Sequence, residues 1–470
     1  MSLAGPPPVS TSPVRRVAFD LRTELRAPAP FPPGDTLPSV RRTRAVMADP
    51  LAVLLDAYER HGPVFSLRVL ATNVVFMIGP EANHRMLVSH AQDFTWRDGG
   101  FGDLIPLLGD GLLTIDGEFH RRSRRIMLPA FHSRRIAAAL ATMEDEIDRA
   151  VAPWRPGDKV ELYGWARELA LRVAMRALFG FDPERRPADL DPAREFERAL
   201  GYYGRDYWLQ VLRGPRSPWA VMQRARARLD TLVLGEIARR RATGERGEDL
   251  LSLLLDAEDE DGGRLSDRHV RDEVMTMLFA GHDTTTSTVA FLFHELARRP
   301  DVADDLAGAL AAAGPLDARA LMAGPPALDR VLDETLRLYP PAWIGPRRAV
   351  RTFEFAGRTV PAGAPVNYSS YVSHRLPEVF PDPEAFRPER FTDEGRSAMP
   401  KGAYVPFGLG SRQCLGMRFG RLEIKAITAR ILAAHRLELA PGYRLTVRQT
   451  PTLGPRDGLP VRIRAAGGAG

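Results

Sequence analysis

A single cysteine, Cys414, occurs in 470 residues, and it sits in the run F-G-L-G-S-R-Q-C-L-G, Phe407 to Gly416. One thiol cannot form an internal disulfide, nor complete a Cys-rich zinc or iron–sulfur site. Taken alone, a free cysteine is most often a small buried hydrophobe. Its neighbours argue otherwise. Gly408, Gly410 and Gly416 bracket the thiol and let backbone approach something flat and bulky. Arg412, two residues earlier, supplies a positive charge that favours a thiolate or pairs with an anionic group. The pattern is a thiolate ligand on a tight loop, presented to one large cofactor.

The rest of the chain has to enclose that loop. No linker-like stretch divides it, so one large domain is expected, with ample length for a core and a cofactor. With 40 Gly and 40 Pro in 470 residues, the composition falls short of a low-complexity chain. Residues 1–33 are the exception: rich in Pro and Arg and lacking periodicity, they read as a flexible or surface-hugging lead-in to a domain over 34–470. Strand signals fall at 64–69, 73–79, 352–368 and 443–464. Helical periodicity dominates elsewhere, at 50–61, 118–128, 136–150, 163–179, 218–243, 267–299, 326–339 and 417–434. The fold class is mainly α with minor β.

Charge and hydropathy exclude several classes. No run approaches the ~20 apolar residues that span a bilayer, so no transmembrane anchor is expected. Pro6-Pro7-Pro8 and the early arginines disrupt any signal core, and a cytoplasmic location follows as the expectation. The net charge is +6, but the 65 basic residues are interleaved with 59 acidic ones and no nucleic-acid motif is present. The excess suits acidic protein partners, and no nucleic acid.

The cysteine run matches F-G-x-G-x-R-x-C-x-G at every fixed position and resembles the haem-binding loop of the cytochrome P450 family. Three further runs resemble that family in the right order. The first is A-G-H-D-T-T-T-S-T, Ala280 to Thr288, which is poor helix material in the middle of an apolar helical stretch. It is similar to the family's A-G-x-D/E-T-T signature, which implies Ala280 and Gly281 close to the haem, Thr284 supporting oxygen and Asp283 feeding protons. His282 takes no role. The second is E-T-L-R, whose Glu334 and Arg337 lie on one helical face. With F-R-P-E-R-F, Phe386 to Phe391, it resembles the family's supporting network of Glu334, Arg337 and Arg390. The third, Gly117 to Phe131, resembles the helix that clamps haem propionates, and it implies His120 and Arg124 as clamps. Arg121, Arg122 and Arg125 are left solvated or facing a partner. Arg412 and one of Arg347 and Arg348 add contacts, spacing to Gly357 favouring Arg347. Phe407 and Gly408 complete the cofactor contacts.

The resemblance implies the P450 fold as one large helical domain with small sheets, haem b (iron protoporphyrin IX) and metal ligation by Cys414. It implies a monooxygenase that inserts one oxygen atom from O2 into a hydrophobic small molecule, by hydroxylation or epoxidation. Alternatives on the same fold are a peroxygenase or isomerase, and a non-catalytic haem sensor. By family position the pocket draws on Phe101, Leu104, Trp343, Ile344 and Leu453, largely apolar. No G-x-G-x-x-G, flavin domain or second cysteine is present, so electrons come from an external ferredoxin or flavodoxin with its reductase. Arg418, Arg421 and Lys425, at near-helical spacing after Cys414, form the expected docking patch.

Overall fold

The computed structural model describes residues 11–69, 71–182, 185, 187–258, 264–314 and 316–466. Its longest element is the helix Asp267–Arg298, the central helix, which the other large helices surround. Ser266 starts it, its hydroxyl accepting from the His269 backbone N–H at 3.3 Å, and Pro300 begins the next helix one residue after it ends. Almost every residue from Val270 to Leu296 is buried, which explains why a run as hydroxyl-rich as 284–288 stays helical. Thr284, Thr286 and Thr288 donate to the carbonyls of Ala280, His282 and Thr284, and so satisfy their hydroxyls inside the helix. Against the central helix pack Leu162–Val173, Pro218–Thr243, Pro326–Leu338 and Met417–Ala434. One large apolar core runs through all of them.

The sheets lie at the edge of this helical body. The largest has six strands, in the order Gly34–Asp35, Val64–Val69, Thr72–Met77, Pro365–Tyr368, Gly345–Ala349, Phe94–Thr95. Its register places Arg347 opposite Val366 and Arg348 opposite Pro365. Alternation along a strand sends neighbouring side chains to opposite faces. Arg347 and Arg348 therefore serve different neighbourhoods. A three-stranded sheet joins His435–Leu439, Pro460–Ala465 and Lys159–Glu161.

Helix boundaries read from periodicity agree closely at Pro50–His61, Pro218–Thr243 and Met417–Ala434. The stretch read as one helix over 163–179 is α-helical from Leu162 to Val173 and then opens into a π turn, Ala174–Leu178. The N-terminal segment lies along the surface of the domain. Pro13–Leu25 is a helix, hereafter the N-terminal helix, with no buried residue. Polar contacts hold it: Glu24 pairs with Arg68 and accepts from the Asn73 backbone N–H at 3.0 Å, while Asp20 pairs with Arg348. Apolar periodicity could not reveal it, because no apolar face is buried.

Candidate functional site

The cysteine loop is shaped by its glycines and by the strand side of the molecule. Gly408 and Gly410 sit at φ +64° and +65°, where a side chain is strained. A Cβ on Gly410 would also lie 2.3 Å from the Leu87 carbonyl oxygen. Cys414 donates its backbone N–H to the Phe407 carbonyl at 2.8 Å, closing the loop beneath the thiol. Cys414 is exposed, although burial pushes its thiol up from the ordinary range, opposed by the Gly416 N–H and by Arg124. The thiol thus opens onto a hollow inside the molecule.

Basic side chains crowd that hollow. His120 is buried, and burial with the charges of Arg412, Arg124 and Arg121 pushes it down to about 3. Burial likewise lowers Arg124, which the Cys414 thiolate opposes. Arg347 is pushed down to about 10 by burial, against the pull of Tyr368 and Asp116. Its guanidinium lies 3.6 Å from the Trp96 ring centre and donates to the Pro346 carbonyl at 2.9 Å. Arg412 also drops to about 10, burial again leading, with Asp116 opposing and Arg347 and Arg124 adding to the shift. It pairs with Asp116 at 2.6 Å and donates to the Ile115 carbonyl at 2.8 Å, yet its buried Nη1 has no partner. The direction of each shift says that these cations want an anion. Arg348, by contrast, turns to Asp20, the Asp98 carbonyl and the Gly363 carbonyl. The pleat thus sends Arg347 to the Trp96 ring that Arg412 also covers, and Arg348 to the N-terminal helix.

A second wall comes from the central helix. Between Val270 and Leu296 only Met277, Ala280, Gly281 and Thr284 keep partial exposure. Their spacing of i, i+3, i+4 and i+7 is one stripe of a helix, open where everything around it is packed. Met277 escaped the sequence reading, although the same spacing would have found it. Asp283 lies just behind the stripe, fully buried, with Oδ2 accepting from the Thr452 hydroxyl at 2.5 Å and Oδ1 unpartnered. Its charge reaches Tyr163 and Arg167, and Arg167 pairs at 3.0 Å with Glu197 at the surface. His282 is a core histidine: its ring packs 4.9 Å from Phe196, Nδ1 bonds the Leu278 carbonyl at 2.6 Å, and burial lowers it.

Behind the loop lies the carboxylate–guanidinium lock. Glu334 and Arg337 are fully buried and bidentate, at 2.7 and 2.8 Å. Arg390 approaches Glu334 at 3.5 Å, and the Arg387 backbone N–H donates to it at 2.7 Å. Arg337 spends its other donors on the carbonyls of His374, Pro383 and Ala385. His374 carries the lock to the cysteine loop. Burial, and after it the Arg337 charge, holds it neutral, down to about 3. Nδ1 pairs with the Arg337 carbonyl at 3.3 Å and Nε2 accepts from the Val405 N–H at 2.9 Å. Val405 in turn accepts from the Gly408 N–H at 3.1 Å. His374 was not legible beforehand, since a lone histidine in a loop has no periodicity to mark it.

Three expectations are corrected. Arg421 pairs with Asp329 at 2.6 Å and with Asp333, while buried Lys425 pairs with Asp329 at 2.6 Å and donates to the Leu321 carbonyl. Neither is a free docking cation; of that set Arg418 alone is exposed. Arg412 faces Asp116, and Arg124 is the cation that acts on the thiol. Leu453 is fully buried against Phe291 and Tyr371, so it offers no surface to a ligand. Phe101, stacked 4.5 Å from Trp96, keeps partial exposure, as do Leu104, Trp343 and Ile344.

With this geometry in view, the likenesses to known proteins are informative. The chain matches the family described as Cytochrome P450 over residues 35–454. The cyclooctat-9-en-7-ol 5-monooxygenase of Streptomyces melanosporofaciens is 35% identical over 430 residues, covering 87% of this chain and 90% of that one. The cyclooctatin synthase of the same organism is 33% identical over 429 residues, covering 86% and 90%. Among solved structures, retinoic acid bound cyanobacterial CYP120A1 superposes with a TM-score of 0.84 at 31% identity, covering 93% of this chain and 99% of that one. Fold and likeness together define an oxygen-inserting haem enzyme. The chain belongs to the cytochrome P450 family, whose cofactor is haem b. The residues present fit that group: an open thiol, an open helical stripe, and a basic cluster in which the buried Arg412 Nη1 has no partner, suited to a propionate.

Two outcomes follow. Arg337→Ala leaves buried Glu334 with only the longer Arg390 contact and the Arg387 N–H, and is expected to destabilise the holoenzyme by about 3–5 kcal/mol in denaturant titration. A histidine with a depressed folded pKa confers stability that is complete above its unfolded value and lost as pH falls toward about 3. Stability measured from pH 7 to pH 4 should therefore decline, and His374→Asn should show a slope shallower by about one proton.

Proposed function

We propose that this P450 is a haem-thiolate monooxygenase acting on a hydrophobic small molecule, with electrons from an external redox protein. The carrying observation is an accessible thiol beside a cluster of buried basic side chains, in a chain whose central helix keeps one open stripe. In this reading Cys414 would ligate the iron, Arg124, Arg347 and Arg412 would neutralise the propionates, and His120 would hydrogen-bond to them. Phe407, Gly408, Ala280 and Gly281 would supply the remaining contacts to the cofactor. When bound, haem supplies an iron whose thiolate ligand favours O–O cleavage.

The overall balance is RH + O2 + 2 e⁻ + 2 H⁺ → ROH + H2O, so the protein has to deliver two protons. Asp283 is suited to that task. One carboxylate oxygen is fixed by Thr452, the other is free to hold a proton, and Arg167 with Glu197 connects its charge to the surface. Thr284, the next residue on the open stripe, is the group to which the proton passes. Its hydroxyl rests on the Ala280 carbonyl at 2.7 Å, and it gives up that bond when it serves as relay. The partly exposed Phe101, Leu104, Trp343 and Ile344 support an apolar substrate. Cyclooctat-9-en-7-ol and retinoic acid, named for the relative and the structural neighbour, are the first probes to try.

For electron delivery, Arg418, four residues after Cys414, and Arg125, next in sequence to Arg124, are both exposed cations. We assign docking of an acidic ferredoxin or flavodoxin to them in place of Arg421 and Lys425.

The reduced protein with carbon monoxide should show the red-shifted Soret band of thiolate ligation. Turnover should require a reductase chain, and peroxide alone should not replace it. Thr284→Ala should keep the band but waste electrons as peroxide, with product per electron falling about tenfold or more; unchanged coupling removes Thr284 from the relay. The Arg125→Glu, Arg418→Glu double variant should slow reduction by ferredoxin at low salt and lose its salt dependence. Unaltered kinetics place the docking site elsewhere.

A further inference from the structure

The N-terminal helix, Pro13–Leu25, carries apolar side chains on its outer face. Its inner face is held by charge: Arg16 pairs with Asp103 at 3.2 Å, Asp20 with Arg348, and Glu24 with Arg68, beside the half-buried Val17 and Leu21. Its outer face exposes Val14, Phe19 and Leu25, Leu25 to 85%. The next helix, Val40–Ala48, also buries nothing, and it exposes Val40 and Met47. Leu37, just before it, is 77% exposed. The two halves are joined, since Arg68 holds Glu24 of the first helix and donates to the Thr36 carbonyl at 2.6 Å beside Leu37. Exposed apolar side chains concentrated in one short segment of this kind mark interaction surfaces.

The charges on the same face identify the occupant. Residues 11–48 contain three acids, Asp20, Glu24 and Asp35, and each is ion-paired to an arginine. The outward face carries Arg15, Arg22, Arg26, Arg41 and Arg44, and among the described residues no partner engages their guanidinium groups. Apolar side chains mixed with unpaired arginines on short helices fit an interface that is apolar below and anionic above. Among the described residues no helix is long and apolar enough to cross a membrane. The position also has a use. Arg16 ties this face to Asp103, which lies between Phe101 and Leu104 in sequence and whose charge reaches Tyr202 and Tyr203.

We propose that residues 13–48 form a docking face for an anionic lipid surface, holding the side of the protein near Phe101 and Leu104 against the phase in which a hydrophobic substrate dissolves. The lipid contact stands on the exposed helices themselves; only its link to substrate rests on the proposed monooxygenase reading. The test uses the full-length holoenzyme and sedimentation with vesicles of phosphatidylcholine, with or without about a quarter phosphatidylglycerol. The wild type should pellet with the phosphatidylglycerol vesicles and be released by salt. Arg22→Gln should lower partitioning about fivefold, equivalent to ~1 kcal/mol per basic residue at such a surface. Phe19→Asp with Leu25→Asp should abolish it while leaving the carbon monoxide spectrum intact. A wild type that stays in the supernatant overturns the proposal, and so does a double variant that binds as well as the wild type. If the double variant instead converts a dimer to a monomer in light scattering without lipid, the face belongs to a second copy of the chain and the proposal also falls.

Discussion

The bidentate Glu334–Arg337 pair is the contact on which the site depends. It is buried completely, and taking two charges out of water is costly unless every remaining donor finds a partner. Arg337 meets that condition by reaching the carbonyls of His374, Pro383 and Ala385, which gathers an irregular stretch of chain that lacks regular secondary structure. His374 then passes the constraint to Val405, and Val405 to the turn that carries Cys414. A loop with two glycines at positive φ has little rigidity of its own. It gets rigidity here through a chain of hydrogen bonds that starts at an ion pair several residues removed from the thiol.

The hollow above the loop is unbalanced in the opposite sense. Arg347 and Arg412 are both depressed by burial, and His120 is held neutral. Asp116 answers part of that charge, and aromatic faces at Trp96 and Phe101 answer some of the rest. A folded state that carries uncompensated buried cations is stabilised by whatever anion fills the space, because a ligand that binds only the native form shifts folding toward it. Loading the cofactor and completing the fold are one process in such a site.

Much of this was legible in the sequence. The cysteine run, the Glu334–Arg337 spacing and the hydroxyl-rich stretch of the central helix each break a local rule, and broken rules concentrate at sites. Long helices such as Pro218–Thr243 were legible because caps and periodicity agreed. What escaped was tertiary. Arg421 and Lys425 have the spacing of a surface patch, but Asp329 and Asp333 arrive from another helix to bind them. Leu453 lies in a loop of the expected stretch, yet the core takes its side chain. His374 and Met277 matter through neighbours that only folding supplies. The helix Pro13–Leu25 was invisible because ion pairs hold it and it buries no apolar face for periodicity to detect.

The hydrogen bond from Thr452 to Asp283 has a wider consequence. Thr452 belongs to the loop 450–455, which also carries Leu453 and packs its backbone onto Ser287 of the central helix. The same few residues therefore fill the core with Leu453 and fix the buried acid through Thr452. Engineering that reshapes this loop will shift the carboxylate at the same stroke. The packing of 450–455 and the placement of Asp283 are mechanically geared together, and neither can be altered alone.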